Sequence, residues 1–400
     1  MNLDKILEQV DTEQMYQHVL NLEGIKHPLD TPEKLKEAAD YIYSTLKGYG
    51  ASIRMQEFQL EGFPDPLINV EGWIGDKNDP AAVIASHYDT VYSTPGANDN
   101  AAAIAVMLEA ARILAQEDDV PPVRFVSFTL EEGNPVFEAK IRASAQKLGL
   151  TDDRQRPTSY RAAKIIKEHS KLGWKIYDEG RAGKTYAEAL AEATSQLDDG
   201  MPEAVFKHLQ EKEAIYASLT SIHTHGTTGL VGSWAWVDDA LKSGTKIKYA
   251  IVLDEIGRTR QQEGSQTLPP ELTYEMMQTF KVDAERNIGD WAFIITDGAA
   301  EKLGQTLCTL CERESIALPY GYFNIPLNYE GIVQQFPQSL HSDHASFWNA
   351  GIPALFLFDT ANWRLPYVGH TMADTIDILD FEQITKICKA VIATVVDPTL

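Results

Sequence analysis

Cysteine is scarce: Cys308, Cys311 and Cys388 are the only three in 400 residues, so no disulfide framework can be built and a reducing compartment suits the chain. Cys308 and Cys311 form a CxxC, but no second CxxC or nearby histidine pair accompanies them. They read as two small apolar residues one helical turn apart, facing a core. Long apolar runs are lacking too. Runs such as 354–358 fall far short of the roughly 20 residues that span a bilayer, which excludes an integral membrane protein built of helices. Positive charge is in deficit. A net charge of -23 and a pI near 4.8 argue against nucleic acid and anionic membranes as partners, because that affinity comes from lysine and arginine on phosphate. The first eleven residues hold acidic groups and no basic segment followed by an apolar one. No signal peptide is read there, and the cytoplasm is the expected location.

What is present is the composition of a folded chain, 44% apolar and 23% charged, long enough for one large domain or two ordinary ones. A helix is expected from Pro32, with Thr31 as its cap, Leu35, Ala38, Ile42 and Leu46 at helical spacing, and Gly48 or Gly50 at its end. Strand-like runs follow at 51–58 and 81–86. Gly96-Ala-Asn-Asp-Asn100 then opens an Ala-rich helix over 101–114, and further strands are expected at 123–130, 248–253 and 354–358. Alternating strands and helices predict an α/β fold with a mixed, largely parallel central sheet flanked by helices. From 134 to about 228 the pattern changes to helix alone, at 140–148, 160–172, 186–197 and 203–219. The expected organisation is one α/β domain made of 1–133 and 229–400, interrupted by an all-helical insertion over 134–228.

In such sheets ligands bind beyond the carboxyl ends of the strands. His87, Glu131, Glu132 and Asp254 each end or follow an apolar strand, so they are placed to converge. In His87-Tyr-Asp89, residues i and i+2 share a strand face, and Asp89 can hold the imidazole in one tautomer while its other nitrogen binds metal. Asp99 carries a carboxylate able to bridge two cations, although aspartate at a helix mouth is also an ordinary cap. Adjacent glutamates project differently, so one can ligate a metal while its neighbour reaches the attacking water. His370 lies in Gly-His-Thr-Met-Ala-Asp374-Thr. Singly, each residue has a bland alternative. Together they make the mixed histidine and carboxylate set that holds zinc in hydrolytic sites.

Several segments, in order, resemble the co-catalytic zinc aminopeptidases, the family that also contains glutaminyl cyclases and glutamate carboxypeptidases. They are His87-Tyr-Asp-Thr, Gly96-Ala-Asn-Asp-Asn-Ala-Ala-Ala through Leu114, Glu131-Glu132-Gly133, Leu253-Asp254-Glu-Ile-Gly257, Ser342-Asp343-His344 with Gly351-Ile-Pro353, and His370-Thr-Met-Ala-Asp-Thr375. The resemblance implies two zinc ions, replaceable by cobalt or manganese, with His87 and Asp254 as terminal ligands of one and Glu132 and His370 of the other. It implies Asp99 as the bridge, Glu131 as general base, and Asp343 as a receiver of the substrate amine. The implied activity is removal of N-terminal residues from peptides. The family usually runs from Glu-Glu-Gly almost directly into Gly-Leu-x-Gly-Ser, whereas here Gly229-Leu-Val-Gly-Ser233 comes after the insertion. That insertion is expected to act as a lid limiting substrates to small peptides or as a surface for homo-oligomerisation. His225, where it returns, is a candidate substrate contact against the alternative of a plain loop. Two other functions stay open: a glutaminyl cyclase working with one zinc, and a non-catalytic peptide-binding protein on the same scaffold.

Overall fold

The unbroken apolar runs that end at His87 or precede Thr129, Asp254 and Asp359 are four neighbouring strands: β3 (Ala81–His87), β4 (Val123–Phe128), β5 (Ile247–Leu253) and β9 (Ala354–Phe358). They lie side by side in the order β4-β3-β5-β9, all parallel. Every residue of β3 and β4 is buried, and a strand covered on both faces needs apolar side chains at successive positions rather than in alternation. The computed structural model describes residues 2–166, 184, 188, 191, 192, 195, 226, 229–269 and 272–400. Within these, β1 (Ser52–Phe58) and β2 (Leu67–Ile74) extend the sheet antiparallel on one side. On the other side are β7 (Ala292–Asp297), β8 (Tyr320–Ile325) and β6 (Gln278–Phe280), completing a mixed nine-stranded sheet.

Successive core residues of β3 point to opposite faces, so that Ala82 and Ile84 enter one apolar cluster and Val83 and Ala85 another. Helices Thr12–Leu22, Pro32–Gly48, Ala102–Leu114, Glu301–Cys311 and Phe381–Val395 cover the first face, and Val231–Lys242 and His344–Asn349 cover the second. The Ala-rich helix Ala102–Leu114 is buried almost throughout. Cys308, Cys311 and Cys388 are free and buried in the core. Helix Pro32–Gly48 forms as expected, with Leu35, Ala38, Ile42 and Leu46 buried. Thr31 departs from expectation, because its side chain makes no cap. Its hydroxyl donates to the Ile25 carbonyl (2.8 Å) and accepts from the His27 amide (2.9 Å), closing the preceding turn instead.

The chain divides into two compact units, one of Met1–Glu132 with Leu230–Leu400 and one of Gly133–Gly229. The second begins with helix Pro135–Lys147, whose Asn134 cap accepts from the Val136 amide (2.9 Å), and a helical turn covers 160–166. The remainder of the helices expected at 160–172, 186–197 and 203–219 falls almost wholly outside the described residues. Among the described residues no helix is long and apolar enough to cross a membrane.

Candidate metal centre

Parallel strand order makes the carboxyl ends of β4, β3, β5 and β9 one edge, and the polar residues there meet. His87 ends β3 and Asp254 follows β5, with His87 Nε2 3.3 Å from Asp254 Oδ1. Asp99 is brought in by the turn at Gly96, which has φ 69° and where a Cβ would collide with Thr90 and stand 2.6 Å from the Asp99 carbonyl. Only glycine fits that left-handed, crowded position. Asp99 is not a helix cap. One of its oxygens lies 3.2 Å from His87 Nε2 and the other 3.1 Å from His370 Nε2. Glu132 Oε2 also lies 3.1 Å from His370 Nε2.

Asp89 does more than orient His87. Its carbonyl lies 3.2 Å from His87 Nδ1, leaving Nε2 for the centre. Its carboxylate accepts the amides of both Glu131 (3.1 Å) and Glu132 (3.2 Å), holding the glutamate pair at the end of β4. Two sets of side chains are spaced to share a cation, His87 with Glu131 and Asp254, and His87 with Asp99 and Glu132. Glu132 Oε1 is buried without a hydrogen bond, which a ligand atom facing a cation would be.

Electrostatics point the same way. Burial opposes charge on His87, yet Asp254 and Glu131 lift it well above the usual histidine range. For His370, Glu132 is the main cause of a marked rise. Burial, reinforced by Asp99, pushes Glu132 up to about 7. Burial also drives Glu131 well above the carboxylate range, with Asp254, Glu132 and Asp343 adding to it. Crowded anions that draw protons in this way are relieved by divalent cations, whose charge reverses the local logic. The residues therefore fit zinc.

Supporting residues emerge that the sequence reading left without a role. Asp374 accepts the amides of Asn98 (2.7 Å) and Asp99 (3.1 Å). Asp359 accepts from Asn98 Nδ2 (3.0 Å) and the Arg258 amide (2.9 Å), and Ser342 donates to Asp254 Oδ2 (2.7 Å). Asp359 follows β9 as Asp254 follows β5, so the same strand-end rule could have found it. Lys26 had no such signal. It is buried, and its Nζ donates to the carbonyls of Leu22 and Gly24 (both 2.8 Å), tying that segment near the Gly96 turn. Asp343 is fully buried, with neither oxygen hydrogen-bonded. Ser233 beside it donates to the Leu230 carbonyl (3.2 Å) instead. His225 lies outside the described residues.

Fold and centre together fit a zinc metallopeptidase. The sequence model of peptidase family M28 matches residues 69–151 and 312–395 of the chain. Over 143 residues it is 32% identical to the uncharacterized protein YfbL of Escherichia coli, a stretch spanning 33% of this chain and 43% of that relative. The fold is similar to that of the Legionella pneumophila LapA aminopeptidase, with TM-score 0.57 and 16% identity over 98% of this chain and 73% of that one. It is also similar to Porphyromonas gingivalis glutaminyl cyclase, with TM-score 0.52 and 15% identity over 97% and 98% of the two chains.

Proposed function

We propose that this chain is an aminopeptidase that removes N-terminal residues from small peptides, with two zinc ions held by His87, Asp99, Glu132, Asp254 and His370. The observation that carries the reading is the placement of Asp99, one carboxylate oxygen towards His87 and the other towards His370. A bridging carboxylate needs that arrangement and a helix cap does not. When bound, the two ions would supply Lewis acidity to the scissile carbonyl and to water. Glu131 takes the proton of the attacking water and returns it to the leaving amine. Asp89 holds the amides behind Glu131 and Glu132, and Asp374 and Asp359 hold the Asn98-Asp99 turn. Metal analysis tests the stoichiometry: two zinc ions per chain are expected, falling to about one in His87→Ala.

The likeness to a glutaminyl cyclase favours a second reading, a single-zinc cyclase using Asp99, Glu132 and His370. A chain saturating at one zinc, with His87→Ala silent, would select it. The insertion is proposed as a lid or an oligomerisation surface, on the argument that its ends join the chain beside Glu132 and before Leu230. Replacing 134–228 with a Gly/Ser linker and comparing a dipeptide amide with a ten-residue peptide tests this, and an unchanged preference removes the lid. The cytoplasm is the proposed location, with fractionation as the check.

A further inference from the structure

An aminopeptidase needs somewhere for the charged end of its substrate. Asp343, expected in that role, is fully buried, whereas Glu255 is more open. Glu255 follows Asp254 at the carboxyl end of β5, in the left-handed region at φ 44°, a conformation that a bulky residue keeps only where the surroundings impose it. Here the Glu255 carbonyl is fastened to the Asp359 amide at 2.8 Å. The carboxylate packs on Gly369, its Oε1 2.6 Å from where a Cβ would stand, and the Tyr367 hydroxyl meets the same carbon. A side chain at 369 would displace both oxygens. Gly369 directly precedes His370, whose side chain is 51% exposed and so marks the open wall of the centre.

Glu131, the general base, and the fully buried Asp343 apart, the other acids of the centre each have a partner. Asp89, Asp359 and Asp374 accept N–H groups, and Asp99, Glu132 and Asp254 face histidines. Glu255 is half-buried, and among the described residues its carboxylate has neither a hydrogen bond nor an ion pair. From this geometry we propose that Glu255, with the Tyr367 hydroxyl beside it, anchors an ammonium group of the substrate. That group is either the free α-amine or a lysine-type side chain at the first position. The inference rests on the aminopeptidase reading of the same site and adds its specificity. A partly desolvated carboxylate binds ammonium by short, charge-assisted hydrogen bonds that an acetylated amine cannot make.

The test is calorimetric binding of leucine hydroxamate, its N-acetyl form, and the lysine and norleucine hydroxamates to the zinc-loaded full chain and to Glu255→Gln. Wild type is expected to prefer a charged compound over its uncharged counterpart by roughly tenfold or more. Glu255→Gln should erase that preference with zinc content unchanged, and Glu255→Asp should restore part of it. If the α-amine is the anchored group, the leucine compound loses its advantage over the N-acetyl form. If the side chain is, only lysine loses its advantage over norleucine. Equal affinities in wild type and Glu255→Gln for every compound overturn the proposal. Hydrolysis of leucyl 4-nitroanilide, followed in parallel, separates the two claims: binding preference without turnover would sink the aminopeptidase reading and leave the Glu255 anchor standing.

Discussion

Two buried polar clusters occupy the same α/β unit and differ in one respect. Around the N-terminal helices, His18 meets Tyr41 (2.7 Å) and Tyr49 (3.1 Å), and the fully buried Glu109 accepts from the Asp11 amide (2.7 Å) and from Arg112 Nε (2.8 Å) and Nη2 (2.7 Å). Both histidine nitrogens and both carboxylate oxygens have partners. At the metal centre, buried acids crowd together while Glu132 Oε1 and both oxygens of Asp343 have no hydrogen bond. Buried polar groups are ordinarily satisfied. A satisfied cluster is part of the fold's own stability, whereas an unsatisfied one is stable only with something else bound. Burial of charge alone does not mark a site; several buried acids crowded together with oxygens left unpartnered do.

The comparison breaks most sharply at Glu131. Glu131→Gln is expected to lower turnover about 100-fold or more, the usual contribution of a positioned base, with zinc content retained. Unchanged turnover would show that the centre's unpartnered acids are not its machinery. In the satisfied cluster the effect should fall on stability instead. Glu109→Ala takes the carboxylate from Arg112, which keeps the Gln9 carbonyl (2.7 Å), and the acceptor from the Asp11 amide, and urea unfolding should show a loss of about 3 kcal/mol with metal stoichiometry unaltered. A loss below about 1 kcal/mol would mean that the cluster is not stabilising.

The smallest effect is a pH term at His18, which burial, and secondarily Arg112, lower from 6.5 to about 4. Its folded pKa lies below the unfolded one, so between about 4 and 6.5 the unfolded state binds more protons. The neutral ring's contribution is full above 6.5 and is lost as pH falls through about 4, at most about 3 kcal/mol. Urea midpoints of wild type and His18→Gln at pH 7 and pH 4 should converge at the lower pH. Parallel shifts at both values would reject the assignment.

Legibility followed the same division. β3, β4, β5 and β9 were readable because strands buried on both faces are unbroken apolar runs, and each ends at or leads into a polar group. β2 was missed because Asn69 and Glu71 interrupt it. Both are buried, Glu71 paired with Arg54 (2.7 Å) and also with Arg124, and Asn69 bound to Gln56 (2.8 Å) and the Gly232 carbonyl (2.8 Å). Such a strand looks like a surface turn until its partners are known.

The amino-acid sequence alone determined which side chains end the strands, where the glycine before Asp99 falls, and that a long segment separates Glu132 from Leu230, since these follow from local pattern and backbone preference. Tertiary structure alone decided that Asp99 faces two histidines, that Asp359 and Asp374 hold its turn, and that the Glu255 carboxylate lies against Gly369. It also decided that Leu230 and Val231 return to bind the carbonyls of Glu131 and Leu130 (both 2.9 Å). The reason is physical: hydrogen-bond satisfaction and burial depend on neighbours far apart in the chain, and no local run of residues encodes which groups will be left without a partner.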